Sequence, residues 1–292
     1  MGNLKLSRTA IRELTRLYRG VLMAAFVAGM FVATGARAAD ISTADGLKTA
    51  LQTGGSNTVT ADISGISGVT SINGKTNTLD LNEKTLSGEG TSGFSFSGGS
   101  VTLTNGGTIS GFSNPDANPA NVDGNEFGIL DVRSGSALNI EDGDWTFSGN
   151  HGGLGAVNSL NASAIIDTNG KVVFENNISD TQGGGFRHDI SDHSYDEKVA
   201  RITADEIKFK GNTIESTIGA GAGAMNSRGT VELLGNKNTF EGNSVTGTPY
   251  KGYKRGGGAV ANQSGANAND TIIFDATMVI GHFPAIMVVW GL

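Results

Sequence analysis

The densest group of titratable side chains in the 292-residue chain is His188-Asp189-Ile190-Ser191-Asp192-His193. Imidazoles and carboxylates this close are the ligand types of a metal site and the partners of an acid–base pair. The run sits between a glycine tract and the next apolar stretch, with Tyr195-Asp196-Glu197-Lys198 following it. It therefore reads as a solvated loop, His188 to Ala200. Glu141-Asp142-Gly143-Asp144 and Asp123-Gly124-Asn125-Glu126 offer calcium-type oxygens, but neither has EF-hand spacing, and both read as exposed turns. The other histidines, His151 and His282, stand alone. No G-x-S-x-G elbow and no phosphate-loop lysine follow the glycine tracts, so hydrolase and nucleotide-hydrolase readings fail. Zero cysteines remove disulfides, thiolate metal sites and a cysteine nucleophile together. The expectation is a non-enzyme with no catalytic residue, no metal and no cofactor.

One segment is chemically out of place. Thr248-Pro-Tyr-Lys-Gly-Tyr-Lys-Arg255 is basic and aromatic in a chain of net charge −7. Tyr250, Lys251, Tyr253 and Arg255 suit stacking and cation–π contacts with a glycan or a protein. An acidic balance argues against nucleic acid as a partner.

The first segment reads as an address. Lys5, Arg8, Arg12, Arg16 and Arg19 precede an apolar run from Val21 to Ala33, then Ala36-Arg37-Ala38. A basic region, an apolar region of this length and an A-x-A site make residues 1–38 a secretory signal peptide, the ticket to export machinery. The apolar run is shorter than the roughly 20 residues of a membrane span. Removing 1–38 takes six basic residues and one acidic residue and deepens the charge from −7 to −12.

The elements that must position these residues come from repetition. Glycine numbers 45 against 4 prolines, without a collagen period. Leu79-Asp80-Leu81 recurs as Val101-Thr102-Leu103, and Thr85-Leu86-Ser87-Gly88 as Thr108-Ile109-Ser110-Gly111. Each is a short alternating run, the mark of a half-buried strand. From residue 138 the repeat sharpens into F-x-[GN]-N at 147–150, 174–177, 209–212 and 240–243, spaced by 27, 35 and 31 residues. Strand openings precede the phenylalanines at Leu138, Ile165, Ile202 and Val231. A glycine tract follows each copy: 152–158, 183–186, 221–226 and 256–262.

A single repeat cannot close a core, so successive coils must stack and share one apolar column. The implied fold is all-β, a right-handed parallel β-helix over residues 39–276. Phe147, Phe174, Phe209 and Phe240 point inward and stack. Asn150, Asn177, Asn212 and Asn243 sit at a corner, where asparagine tolerates left-handed backbone and bonds local groups. An antiparallel sandwich explains the alternation but not the fixed order of F-x-[GN]-N and glycine tract.

F-x-x-N paired with Gly-Gly-Ala-apolar, nearest at Gly257-Gly258-Ala259-Val260, resembles the repeat pair of the polymorphic outer membrane protein family of autotransporters. The resemblance spans roughly 138–262. It implies an adhesin-like passenger, secreted or held at the outer membrane surface of a Gram-negative bacterium and contributing to virulence. Its partners would be host-cell or bacterial surface proteins or glycans. In that family a membrane β-barrel follows the passenger, and no such pattern follows residue 262, so outer-membrane attachment would need a barrel supplied from elsewhere.

Two rival readings remain in sequence. A carbohydrate-active β-helix enzyme needs two carboxylates facing each other on one coil face. A non-functional truncated fragment is the other, because residues 277–292 form an aberrant apolar tail holding Pro284, where the pattern calls for Phe at 281 or 282. A truncation or frameshift is the expectation there. Function should concentrate in corner insertions, at Asn114–Phe127, His188–Ala200 and Thr248–Arg255.

Overall fold

Four strand positions recur along the chain, and each pairs in parallel with its counterpart one coil on. The structure, a computed structural model, describes residues 38–115, 127–195, 197–215, 221–246, 258–262, 272–274, 277–280 and 288–289. Residues 1–37, where the signal peptide is expected, lie outside the described residues.

In one coil a leading strand, Ala137–Glu141, is followed by a phenylalanine strand, Trp145–Ser148, then a two-residue corner strand, His151–Gly152, then a closing strand, Val157–Leu160. The next coil repeats the order with Ser163–Asp167, Lys171–Glu175, Ile178–Ser179 and Phe186–Asp189. Leading strands pair only with leading strands, and likewise for the other three positions, with Leu138 opposite Ala164, Phe147 opposite Phe174 and Val157 opposite Phe186. That is a parallel β-helix, and its right-handed sense is the one that crossover chirality demands. In later coils the leading and phenylalanine strands fuse, as Ala200–Lys210 and Val231–Glu241.

Inward positions fill the core. Phe147, Phe174, Phe209 and Phe240 are buried, with ring centroids 4.9, 4.8 and 5.2 Å apart and interplanar angles of 12°, 6° and 3°. Phe186 of a closing strand meets Phe174 edge-on at 6.1 Å. Beside the phenylalanines run leading-strand columns of Leu138, Ala164, Ala200 and Val231, and of Ile140, Ile166, Ile202 and Leu233. Ile165, expected to open a strand like Leu138, faces outward between the inward Ala164 and Ile166. The constant landmark is the second column, seven residues before Phe in Ile140, Ile202 and Leu233 and eight in Ile166. In the N-terminal coils Thr85-Leu86-Ser87 pairs with Thr108-Ile109-Ser110 as expected, but the recurrence of Leu79-Asp80-Leu81 is shifted by two. Leu79 pairs with Leu103, and Asn77 with Val101. A two-residue slip keeps the same face inward, so alternation alone could not distinguish the registers.

The asparagine ladder corrects the expected backbone role. The residues in left-handed conformation are those just before the asparagines, Gly149 (φ 60°), Asn176 (φ 53°), Gly211 (φ 62°) and Gly242 (φ 64°), which is why this position alternates between glycine and asparagine. The asparagines themselves are buried and bond between coils. Asn150 donates from its backbone N and from Nδ2 to Asn177 Oδ1, at 3.1 and 3.0 Å. Asn177 does the same to Asn212, and Asn212 to Asn243. The second Nδ2 hydrogen goes back to the carbonyl of the preceding coil's phenylalanine, as from Asn177 to Phe147 O at 2.9 Å. Because each Oδ1 faces a backbone N–H, the amide orientation is fixed.

The first coils are closed by a helix that the strand pattern did not foretell. Helix α1, Ala44–Thr53, buries Leu47 and Leu51, and Thr43 Oγ1 caps it by accepting from Gly46 N at 3.1 Å. Asn77 Nδ2 donates to Leu51 O at 3.1 Å and fastens it to the second leading strand, Gly55–Val59, and its successor Thr76–Asp80. A polar-backed helix over the column's end supplies the cap a solenoid needs.

At the other end Ile272–Phe274 pairs with Val231–Leu233, Thr277–Ile280 with Lys237–Phe240, and Val288–Val289 with Ala261–Asn262. This register puts Ile280 in the phenylalanine position. The rest of the tail lies outside the described residues. On the facing coil, Asn238 points into the core between Ile207 and Met278, with neither Nδ2 nor Oδ1 hydrogen-bonded. Its column mates include Val172 and Ile207. Replacing Asn238 by valine should therefore raise stability by about 1–3 kcal/mol, the cost of burying unpaired polar groups. A lowered Tm for this variant would mean that the amide has a partner in solution.

Candidate functional site

The coil corners differ sharply in how much chain they carry. Between leading and phenylalanine strands the turn is short, as at Asp142–Asp144. After the corner strand, one coil needs only residues 153–156 to reach the closing strand. In Thr85–Ser97 one strand runs through the corner unbroken, while later coils insert 115–129, 180–185, 215–224 and 246–259 at that same place. The insertions expected at Asn114–Phe127 and Thr248–Arg255 thus leave from one corner. Tyr250, Lys251, Tyr253 and Arg255, like residues 116–126, lie outside the described residues.

Glycine makes this corner possible. A Cβ on Gly155 (φ 84°) would lie 2.1 Å from Gly183 O, and one on Gly184 would lie 2.5 Å from Gly223 O. Successive corner backbones pack directly on one another, too close for any side chain.

Beneath the corner runs a polar column that no sequence motif marks. The second residue of four successive closing strands turns away from the core yet is buried: Asp131, Asn158, Arg187 and Asn226. Asn158 Nδ2 donates to Asp131 Oδ1 at 2.6 Å, and Arg187 Nη1 to Asn158 Oδ1 at 2.8 Å. Gln182 Oε1, in the corner itself, accepts from Arg187 Nε at 2.9 Å and from Asn226 Nδ2 at 3.1 Å. Arg187 also pairs with Asp189, and Arg133 Nε meets Asp131 Oδ2 at 2.5 Å while its guanidinium lies 4.5 Å over the Phe127 ring. The Asn158–Asp131, Arg187–Asn158 and Asn226–Gln182 links cross coils, and the Gln182–Arg187 link ties a corner to a strand. The column therefore anchors the bases of the insertions. The sequence signal was a polar residue one place after the apolar residue that opens the closing strand, in Leu130-Asp131, Val157-Asn158, Phe186-Arg187 and Met225-Asn226.

The histidine–aspartate cluster is not the solvated loop it was expected to be. His188 and Asp189 belong to a fully buried strand, and only the residues after them leave the coil. Their burial follows from register: this strand is clamped between Val157–Leu160 and Met225–Arg228. His188 Nδ1 meets Ser159 Oγ at 3.4 Å. Among the described residues no group of three or more His, Asp or Glu side chains could hold a metal ion.

The acidic turn is used locally. Asp144 Oδ1 accepts from Lys171 N at 2.7 Å, and Trp145 Nε1 donates to Asp142 O at 2.8 Å. Glu141 sits opposite Asp167 on the next coil. Burial, then the neighbouring Asp142 and Asp167 charges, push its carboxyl above the ordinary carboxylate range. Asp123–Glu126 lies outside the described residues. At the insertion corner, His151 Nε2 and Asp180 Oδ1 are 2.8 Å apart. That hydrogen bond raises the imidazole pKa, burial works against it, and the Asp180 and Glu215 charges add to the rise.

Compared with known proteins, the chain matches no family model, no curated protein and no solved structure. Within the described residues, no helix is long and apolar enough to cross a membrane. The chemistry available is therefore that of the chain itself. Many of its buried polar groups bond between coils, and the lengths of the segments between strands vary most at one corner.

Proposed function

We propose that this protein is a non-enzymatic, autotransporter-type passenger, secreted or displayed at the cell surface, that binds a host-cell or bacterial surface protein or glycan through its corner insertions. The observation that carries the reading is the contrast within each coil. Ladder register stays constant while one corner varies from four to fifteen residues. A rigid rod with variable loops along one edge is the geometry of a display scaffold, where binding residues sit on loops positioned by a fixed frame. The basic and aromatic insertion at Thr248–Arg255 supplies the contact chemistry. The repeat pair's resemblance to the polymorphic outer membrane protein family supports export by the same route.

The test replaces Tyr250, Lys251, Tyr253 and Arg255 together by serine in the full chain. Binding to cells or to a glycan array should fall at least tenfold while the circular dichroism spectrum is unchanged. Undiminished binding removes this insertion from the contact surface.

A second reading rests on the Glu141–Asp167 juxtaposition. A carboxyl whose pKa is raised by burial and by neighbouring charges, opposite a second carboxylate one coil away, is the kind of pairing a polysaccharide hydrolase uses. Glycan cleavage that is abolished in Glu141→Gln would favour it over the binding scaffold.

A further inference from the structure

His188 is an imidazole in the interior of the coil stack. It is fully buried, and its Nε2 has no hydrogen-bond partner. The column it occupies holds Ser159 on the coil before and Ser227 on the coil after. The hydroxyls of both serines are already committed, to Ala162 O at 2.7 Å and Gly229 O at 2.8 Å. The ring also packs on backbone, since a Cβ on Gly229 would lie 3.0 Å from Nε2.

The surroundings oppose a second proton. On its own strand, Arg187 and Asp189 lie on the opposite face, paired with each other. The preceding closing strand, Val157–Leu160, contributes no titratable group, and the following one contributes Arg228, 3.6 Å from Asp189 Oδ1. Burial first and the Arg187 charge second push the imidazole down to about 3, with only the Lys198 carbonyl favouring the protonated ring.

The strand lies between two stretches without regular strand pairing. Gly183-Gly184-Gly185 precedes it, and residues 190–199 follow it before the next leading strand begins at Ala200. Phe186–Asp189 is paired on both sides, and the bonds to neighbouring coils extend to Gly185, whose N donates to Ala224 O, and to Ile190, whose N donates to Arg228 O.

We propose that Phe186–Asp189 is an acid-released latch: protonation of His188 expels this strand from the rod and frees residues 190–199 together with the Arg187 link of the polar column. The sign follows from linkage. The unfolded or released strand takes up a proton below pH 6.5, and the docked strand cannot. Docking is therefore complete above about pH 6.5 and weakens as pH falls toward 3. His151 acts with the opposite sign, because its raised pKa strengthens docking on the acid side of neutrality.

The test is native-state hydrogen exchange of the full chain between pH 7 and 4, corrected for intrinsic exchange rates. The opening constant of amides in 186–189 should rise up to tenfold per pH unit below about 6.5, while those of Lys171–Glu175 change much less. In His188→Asn that extra slope should vanish, and in His151→Asn it should persist. Equal slopes in the wild type and His188→Asn overturn the proposal. Should the variant not fold, the His188 ring proton resonance in the wild type decides. A ring that titrates near pH 6.5 in the folded protein overturns the latch, and one that stays neutral until the strand opens supports it.

Discussion

Replacing Phe174 by alanine is expected to destabilise the protein by about 3–5 kcal/mol, the cost of emptying a large buried aromatic site. Phe174 is the most enclosed member of its column, stacked on Phe147 at 4.9 Å and on Phe209 at 4.8 Å, with Phe186 edge-on at 6.1 Å. Each aromatic pair adds about 0.5–1.5 kcal/mol beyond area burial. The cavity cannot collapse easily, because the rings above and below belong to strands held in register by backbone bonds. Phe209→Ala should behave alike. Urea unfolding monitored by circular dichroism measures the effect, with Lys208→Ala, on an outward position, as the control. A midpoint shift no larger than the control's would show that the rings are not stacked.

Asn177→Ala should cost a comparable 3–5 kcal/mol although it removes far less apolar surface. The substitution strands Asn150 N, one Nδ2 hydrogen of Asn150 and the Phe147 carbonyl, all buried. Each unsatisfied buried group costs about 1–3 kcal/mol, and the coupling along the ladder makes the total less than the sum. Asn177→Asp separates hydrogen bonding from shape. A carboxylate can accept from Asn150 but cannot donate to Phe147 O or Asn212 Oδ1. The aspartate variant should be about as unstable as the alanine variant at pH 7 and recover part of the loss when protonated at pH 4, measured against the wild type at each pH. Equal deficits at both pH values would mean that the side chain does not donate between coils.

The phenylalanine column was legible because the motif names both the inward residue and its place in the coil. The asparagine's position was legible too, but its role was not. A sequence shows that asparagine recurs three residues after phenylalanine, and local backbone preference is the nearest explanation. Only stacking brings Asn150, Asn177, Asn212 and Asn243 within 3.0 Å of one another across 27 to 35 residues of chain. Helix α1 stayed hidden for a different reason. Its apolar signal is two leucines four apart, Leu47 and Leu51, too little to stand out beside the strand pattern.

The candidate site divides in the same way. The variable segments could be found from composition, and the outlier chemistry of Tyr250, Lys251, Tyr253 and Arg255 is a property of sequence alone. The polar column could not be found, since Asp131, Asn158, Arg187 and Asn226 share no residue type. Their kinship is positional: each occupies the second place of a closing strand. His188 was misplaced for that reason, its charged neighbours suggesting solvent.

Sequence by itself thus determined the fold class, the coil and its inward phenylalanines, because periodic burial and left-handed corners act on residue type within a few positions. Tertiary structure alone decided register, the partners of the buried amides, the burial of His188 and the corner from which the segments 115–129, 215–224 and 246–259 leave. Those depend on which coil lies above which. In a parallel β-helix that contact joins residues about thirty positions apart, and a shift of two residues leaves every local preference satisfied.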